Sequence, residues 1–204
     1  MKYNPEIHHR RSIRLEGYDY SQAGLYFITI CTQDSLHLFG KITDDEMVLN
    51  DAGTVVEKWW NELKNKFPNI ILDEFIVMPN HHHGIIQIIN TDPTPVPVGA
   101  DLRVCPDVQQ HVCPDNSNKH DIEKYTEKGE HTGSPLHTMI QWFKTMSTNE
   151  YIRNVKNKNW TPFNKKLWQR NYYEHIIRNE KSYSHISEYI RTNPLKWLDD
   201  KYYG

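Results

Sequence analysis

Two apolar segments separated by a short polar break constrain the fold of this chain more than any other feature. Residues 70–78 are rich in β-branched and aromatic side chains, which favour strands. Residues 83–89, beyond Pro79 and Asn80, are apolar enough to lie at the centre of a sheet. The segments therefore predict two strands, the second of them central.

The remaining periodic segments predict a mixture of strands and helices. Strands are predicted over residues 25–32, 38–42 and 47–49, helices over 51–67, 134–155 and 182–193, and a short helical turn over 174–178. This order favours an α+β fold in which helices cover one side of an antiparallel sheet.

Residues 91–134 differ from the rest of the chain in composition. They hold five of the 11 prolines and show no helical or strand period. They predict a flexible insertion within a single domain spanning residues 1–204. Cys105, His111 and Cys113 offer metal-binding groups, but their spacing matches no standard zinc pattern.

Composition excludes several classes of protein. The chain has no run of about 18 apolar residues, which excludes a membrane span. Its N-terminal region is polar and basic, unlike a secretion signal, and three cysteines are too few for a disulfide scaffold. We therefore expect a protein of the reducing cytoplasm.

Charge is unevenly distributed, although the formal net charge is only −2. Residues 1–90 and 91–135 each carry a net charge of −4, whereas residues 136–204 carry +6. The basic third also contains four of the six tryptophans and seven of the 12 tyrosines. Cations interleaved with aromatic rings are typical of nucleic-acid surfaces. A solvated charged face above core aromatics is the alternative.

Three consecutive histidines occupy the segment Met78-Pro-Asn-His-His-His-Gly84. Because alternate residues of a strand share a face, His81 and His83 project together and His82 faces away. A divalent metal bridging two neutral imidazoles would suit this pair. A solvated run of histidines is the alternative interpretation.

The last predicted helix offers groups that would complete a metal site. Tyr189 and Asn193 are four residues apart and so lie on one helical stripe. Ile186 and Ile190 lie on the neighbouring stripe and would dock the helix. The alternative is a boundary tyrosine and a polar residue near the helix end before Pro194.

Seven stretches of the chain carry a resemblance to a known family. They are Arg10-Arg-Ser-Ile-Arg-Leu15, Gly17-Tyr-Asp-Tyr20, Tyr26-Phe-Ile-Thr-Ile-Cys-Thr32, Val77-Met-Pro-Asn-His-His-His83, Leu167-Trp-Gln-Arg170, Tyr172-Tyr-Glu-His175 and Tyr189-Ile-Arg-Thr-Asn-Pro194. With them the chain resembles the HUH single-tyrosine transposases of the insertion-sequence class, and among these the REP-associated tyrosine transposases. His82 stands where that family usually has a hydrophobic residue.

The resemblance implies a ferredoxin-like palm, with a C-terminal helix that carries the nucleophile Tyr189. It implies cleavage and rejoining of single-stranded DNA at hairpins through a 5′-phosphotyrosine. It also implies that His81, His83 and Asn193 bind Mg²⁺ or Mn²⁺. Tyr172 and Tyr173 are the rival nucleophiles, and each has an isoleucine rather than an amide residue four positions later. Both monomers and homodimers occur among such transposases.

Cationic and aromatic side chains are the candidate contacts to DNA. Predicted phosphate contacts are Arg10, Arg11, Arg14, Lys165, Lys166, Arg170 and Arg178, and predicted stacking faces are Trp168 and Tyr172. Two other functions remain as alternatives at this stage. One is a catalytically silent hairpin-binding protein of the same fold, and the other is a zinc hydrolase with a water nucleophile.

Overall fold

A computed structural model describes residues 22–89 and 135–203 of the chain. The predicted insertion over 91–134 and the predicted phosphate contacts Arg10, Arg11 and Arg14 lie outside the described residues. No helix in these two described ranges is both long enough and apolar enough to cross a membrane.

The described chain contains six strands and four α-helices. In chain order the strands are β1 (Gly24–Cys31), β2 (Gly40–Thr43), β3 (Glu46–Leu49), β4 (Ile70–Val77), β5 (His81–Ile88) and β6 (Tyr173–Ile177). The α-helices are α1 (Asp51–Asn61), α2 (Leu63–Lys66), α3 (Pro135–Lys158) and α4 (Glu180–Thr192). The helix predicted over 51–67 is thus divided into α1 and α2.

Four strands form one antiparallel sheet in the order β4-β5-β1-β6. Among the described strands, β2 pairs only with β3. With α1 and α3 as the two crossovers, the sheet has the β-α-β-β-α-β arrangement of ferredoxin-like folds. The predicted α+β class is therefore confirmed, and β5, which carries the histidines, is one of the two central strands.

The sheet has an apolar cluster on each face. Tyr26, Ile28 and Ile30 of β1 pack with residues of α1 and α3 in the larger cluster. The alternate residue Phe27 faces the other side, where Ile186 and Ile190 of α4 contact the sheet. Helix α4 therefore covers the face opposite α1 and α3, and its two isoleucines dock it as predicted.

The helical turn predicted over 174–178 is wrong, because these residues belong mainly to β6. Tyr173–Ile177 pairs with β1 along the edge of the sheet. Ile176 joins the larger apolar cluster and Ile177 the smaller one. Backbone pairing with β1 and burial on both faces favour a strand over a local helical turn.

Candidate active site

The histidine pair lies at the start of β5, where the backbone has just turned from β4. The backbone N–H of Met78 donates to the carbonyl of His81 at 2.8 Å, which closes this turn. His81 and His83 are both fully buried, and their Nε2 atoms are 3.0 Å apart. Strand parity thus brings the two imidazoles together as predicted.

A neighbouring polar side chain orients each imidazole by a hydrogen bond to its Nδ1 atom. His81 Nδ1 lies 2.8 Å from Asn80 Oδ1, and His83 Nδ1 lies 2.8 Å from Thr29 Oγ1. Because the Asn80 amide nitrogen donates to the carbonyl of Tyr202, its oxygen is the atom left to accept from His81. This assignment places the proton of His81 on Nδ1 and leaves a lone pair on Nε2 for a ligand.

Burial keeps both imidazoles neutral. It lowers the pKa of His81 to about 4, and the carboxylate of Asp200 opposes that shift. Burial also lowers the pKa of His83 well below its ordinary value, and the charge of His81 would lower it further. Neutral imidazoles are the form that metal binding requires.

Helix α4 brings the hydroxyl of Tyr189 to this pair. Tyr189 Oη lies 3.3 Å from His83 Nε2 and donates a hydrogen bond to Asp200 Oδ2 at 3.1 Å. Burial raises the pKa of Tyr189, and the neighbouring carboxylate of Asp200 raises it further. The phenol is therefore protonated at neutral pH, and formation of a phenolate would require an acceptor for its proton.

Asn193 and Asp200 are hydrogen-bonded to each other beside the hydroxyl of Tyr189. Asn193 Nδ2 donates to Asp200 Oδ2 at 2.7 Å, and the backbone N–H of Tyr202 donates to Asp200 Oδ1 at 2.7 Å. Asn193 Oδ1 is buried and has no hydrogen-bond partner among the described residues. This amide oxygen is thus free to bind a cation.

Asp200 was missed by the sequence analysis. It follows a 3₁₀ segment, Pro194–Asp199, that begins beyond the end of α4. Helical periodicity stops at Pro194, so no spacing rule links Asp200 to Tyr189 or Asn193. An acidic residue shortly after a predicted ligand was the only available signal.

The donor atoms fit one divalent cation. The ligand atoms of His81, His83 and Asp200 all lie within 4.8 Å of one another. Neighbouring ligands about 2.1 Å from an octahedral ion are about 3.0 Å apart, which matches the separation of the two Nε2 atoms. Mixed nitrogen and oxygen donors do not by themselves select one metal.

The rival nucleophile Tyr173 lies on a different element from Tyr189. It lies on β6, is 39% exposed, and contacts Phe27 edge to face with ring centroids 6.3 Å apart. The ammonium of Lys201 lies 5.1 Å from its ring centre. Among the described side chains the structure therefore brings Tyr189, not Tyr173, into contact with His83.

The predicted DNA contacts fall into two groups. Lys165, Lys166, Arg170 and Arg178 are exposed, as a phosphate contact requires, and Tyr172 is half-buried. The stacking role expected of Trp168 needs correction, because the indole is only 4% exposed. Its ring packs against Phe39 and Phe143, and its Nε1 donates to Ser147 Oγ at 3.0 Å.

Comparisons with other proteins show the family and the fold of the chain. No protein-family profile matches the chain. An uncharacterized protein of Haemophilus influenzae is 40% identical over 205 residues, which cover 99% of this chain and 97% of that protein. The solved structure of a REP-associated tyrosine transposase bound to a REP hairpin is 18% identical with a TM-score of 0.51, covering 90% of this chain and 74% of that one. The chain therefore belongs to one family with the H. influenzae protein and has a transposase-like fold.

Proposed function

We propose that the protein is a single-tyrosine transposase or nuclease that cleaves and rejoins single-stranded DNA at hairpins. The observation that carries this proposal is the contact of Tyr189 Oη with His83 Nε2, 3.3 Å away, beside the paired imidazoles. A half-buried tyrosine beside a candidate divalent-cation site is suited to phosphoryl transfer. The fold shared with a hairpin-bound transposase supports DNA as the substrate.

In this proposal Tyr189 attacks the scissile phosphorus. A bond forms between its phenolic oxygen and phosphorus, and the bond from phosphorus to the 3′ oxygen breaks. The phenolic proton moves to the Asp200 carboxylate, which already accepts its hydrogen bond at 3.1 Å. The proton then passes to the released 3′ oxygen, which becomes a 3′-hydroxyl. The resulting 5′-phosphotyrosine keeps the phosphodiester energy for rejoining.

His81, His83 and Asn193 are the residues that would hold the cation, with the charge of Asp200 beside them. A bound Mg²⁺ or Mn²⁺ would supply Lewis-acid polarisation of the phosphate. Burial of Tyr189 between α4 and the sheet would shield the phosphotyrosine from water. Exposed cations of this part of the chain, among them Arg170 and Arg178, would bind phosphates of the same DNA strand.

A covalent-attachment assay tests this proposal. The full chain is incubated with labelled DNA hairpins of varied stem and unpaired flank, with Mn²⁺ or Mg²⁺, and products are separated on denaturing gels. We expect a protein–DNA band with the unmodified chain and with the matched control Tyr173→Phe. The band should disappear with Tyr189→Phe, with His81→Ala and with EDTA.

Three results would contradict the proposal in different ways. Loss of the band with Tyr173→Phe and its retention with Tyr189→Phe would make Tyr173 the nucleophile. Tight hairpin binding without a covalent band from any variant would identify a catalytically silent DNA-binding protein. Zinc-dependent cleavage by Tyr189→Phe would identify a hydrolase that uses water.

A further inference from the structure

The edge of the sheet is interrupted by a bulge close to the histidine pair. Thr32 of the chain following β1 bridges Trp168, and Thr29 of β1 pairs with Tyr173. Two residues of the β1 chain thus face four residues of the edge chain, 169–172. We name these four residues the edge bulge. Bulges commonly re-aim side chains beside functional sites.

The edge bulge lies near the candidate active site. The backbone N–H of Gln169 donates to the carbonyl of Cys31 at 2.9 Å. Cys31 is the register partner of His81 on β5. Adjacent strands are about 4.8 Å apart, so the backbone of Gln169 lies about 10 Å from that of His81.

A buried lysine of α3 holds the edge bulge. Lys144 is only 7% exposed, and its ammonium donates to the carbonyls of Gln169, Arg170 and Asn171 at 3.1, 3.4 and 3.3 Å. It also lies 5.3 Å from the ring centre of Tyr172. Within residues 22–89 and 135–203, no ion pair involves Lys144. Burying a cation without a counter-ion costs free energy. The three hydrogen bonds from Lys144 offset part of this cost and hold the backbone of residues 169–171 in one conformation.

The outer side of the edge bulge is built for hydrogen bonding. Because three successive carbonyls turn inward to Lys144, the exposed surface is left to the side chains of Gln169, Arg170 and Asn171. Side-chain amides both donate and accept, and so complement the edges of unpaired bases. The guanidinium of Arg170 complements a phosphate.

We propose that the edge bulge reads the unpaired nucleotides beside the DNA hairpin, with Gln169 and Asn171 contacting base edges and Arg170 a phosphate. Lys144 is a positioning residue, since its ammonium has no donor left for DNA once the three carbonyls are bound. This inference rests on the proposed function, because it presupposes a single-stranded DNA substrate. It adds which residues set the sequence preference.

Selection from a DNA pool tests the inference. The full chain first selects from single-stranded hairpins of varied stem in EDTA, so that cleavage does not interfere. The enriched stem is then rebuilt with randomised unpaired flanks and offered to each variant. The unmodified chain should enrich particular bases at defined flank positions.

Each surface variant should lose a separate part of this preference. We expect Gln169→Ala and Asn171→Ala each to lose about tenfold discrimination at one flank position. Arg170→Gln should weaken binding to all sequences equally and reduce its salt dependence. Lys144→Met should lose preference at both base positions and leave the slope of the salt dependence unchanged.

Lys64→Met is the matched control, because it removes the same charge from an exposed position on α2. It should retain the full base preference, and thermal melts should show every variant folded. Should Lys144→Met fail to fold, the flank preferences of Gln169→Ala and Asn171→Ala still test the inference. Unchanged flank preference in Gln169→Ala and Asn171→Ala would overturn the inference and leave hairpin binding intact. Enrichment of no hairpin by the unmodified chain would overturn the inference and the proposed function together.

Discussion

His82 is a polar side chain buried in the apolar face of the sheet opposite the candidate active site. Its ring centre lies 4.1 Å from that of Trp60 and 5.6 Å from that of Phe143. Neither ring nitrogen has a hydrogen-bond partner among the described residues. Burial lowers the pKa of His82 to about 3. The position is thus built for an apolar side chain, as in the family that the sequence resembles.

Replacing His82 by leucine should stabilise the protein. We expect His82→Leu to raise the free energy of unfolding by about 1–2 kcal/mol at pH 7, because two unsatisfied nitrogens leave the core. The gain should grow on acidification. The unfolded chain protonates His82 below about pH 6.5, whereas the folded chain does not do so until pH approaches 3. His82 therefore costs up to about 1.4 kcal/mol per pH unit in this window.

Urea denaturation at pH 7 and pH 5 measures this effect. The exposed His175 provides the control, and His175→Leu should leave the difference between the two pH values unchanged. An equal loss of stability on acidification in His82→Leu and the unmodified chain would contradict the prediction.

Among the elements, the contact between β5 and α1 depends on one glycine. A Cβ atom added to Gly84 would clash with the ring carbons of Trp60. Trp60 is fully buried in the larger apolar cluster, so its ring has little room to move. The close approach of β5 and α1 thus requires Gly84, two residues after His82.

Gly84→Ala should destabilise the protein by about 1–3 kcal/mol, because the added methyl group displaces Trp60. Gly24→Ala is the matched control in β1, where the added atom would meet Tyr26 no closer than 3.6 Å. Denaturant titrations of both variants test the difference. Equal stability of the two variants would show that the Trp60 ring moves without cost.

The sequence predicted those elements whose own pattern determines their structure. β-Branched and aromatic composition predicted β1 and β4, and strand alternation predicted that His81 and His83 face together. Helical spacing predicted that Ile186 and Ile190 dock α4. The sequence pattern did not predict β6, because this edge strand is defined by its pairing with β1 rather than by its own residues. The sequence also led to a wrong role for Trp168, because the sequence alone does not distinguish a tryptophan packed in a core from one that faces DNA.

At the scale of the whole molecule, cation binding should raise the free energy of unfolding. The cation-binding groups come from β5 and from the segment that follows α4, two parts of the chain that are far apart in sequence. A cation that binds only this folded arrangement stabilises it. We expect Mn²⁺ at about one hundred times its dissociation constant to raise the melting temperature by about 5–10 °C.

Differential scanning fluorimetry with and without Mn²⁺ checks this expectation. His81→Ala should abolish the increase, whereas the exposed control His175→Ala should retain it. An equal increase in His81→Ala would place the cation elsewhere.

The distribution of the reactive groups along the chain has a practical consequence. Residues 22–89 contribute both imidazoles, and residues 135–203 contribute the phenol, the amide and the carboxylate. A polypeptide cut between residues 90 and 134 would yield two fragments, each with half of the chemistry. Under the proposed function, the fragments would become covalently attached to DNA only after reassembling through the β1–β6 pairing. Covalent labelling of DNA would then serve as a split-protein reporter, silent until its two halves meet.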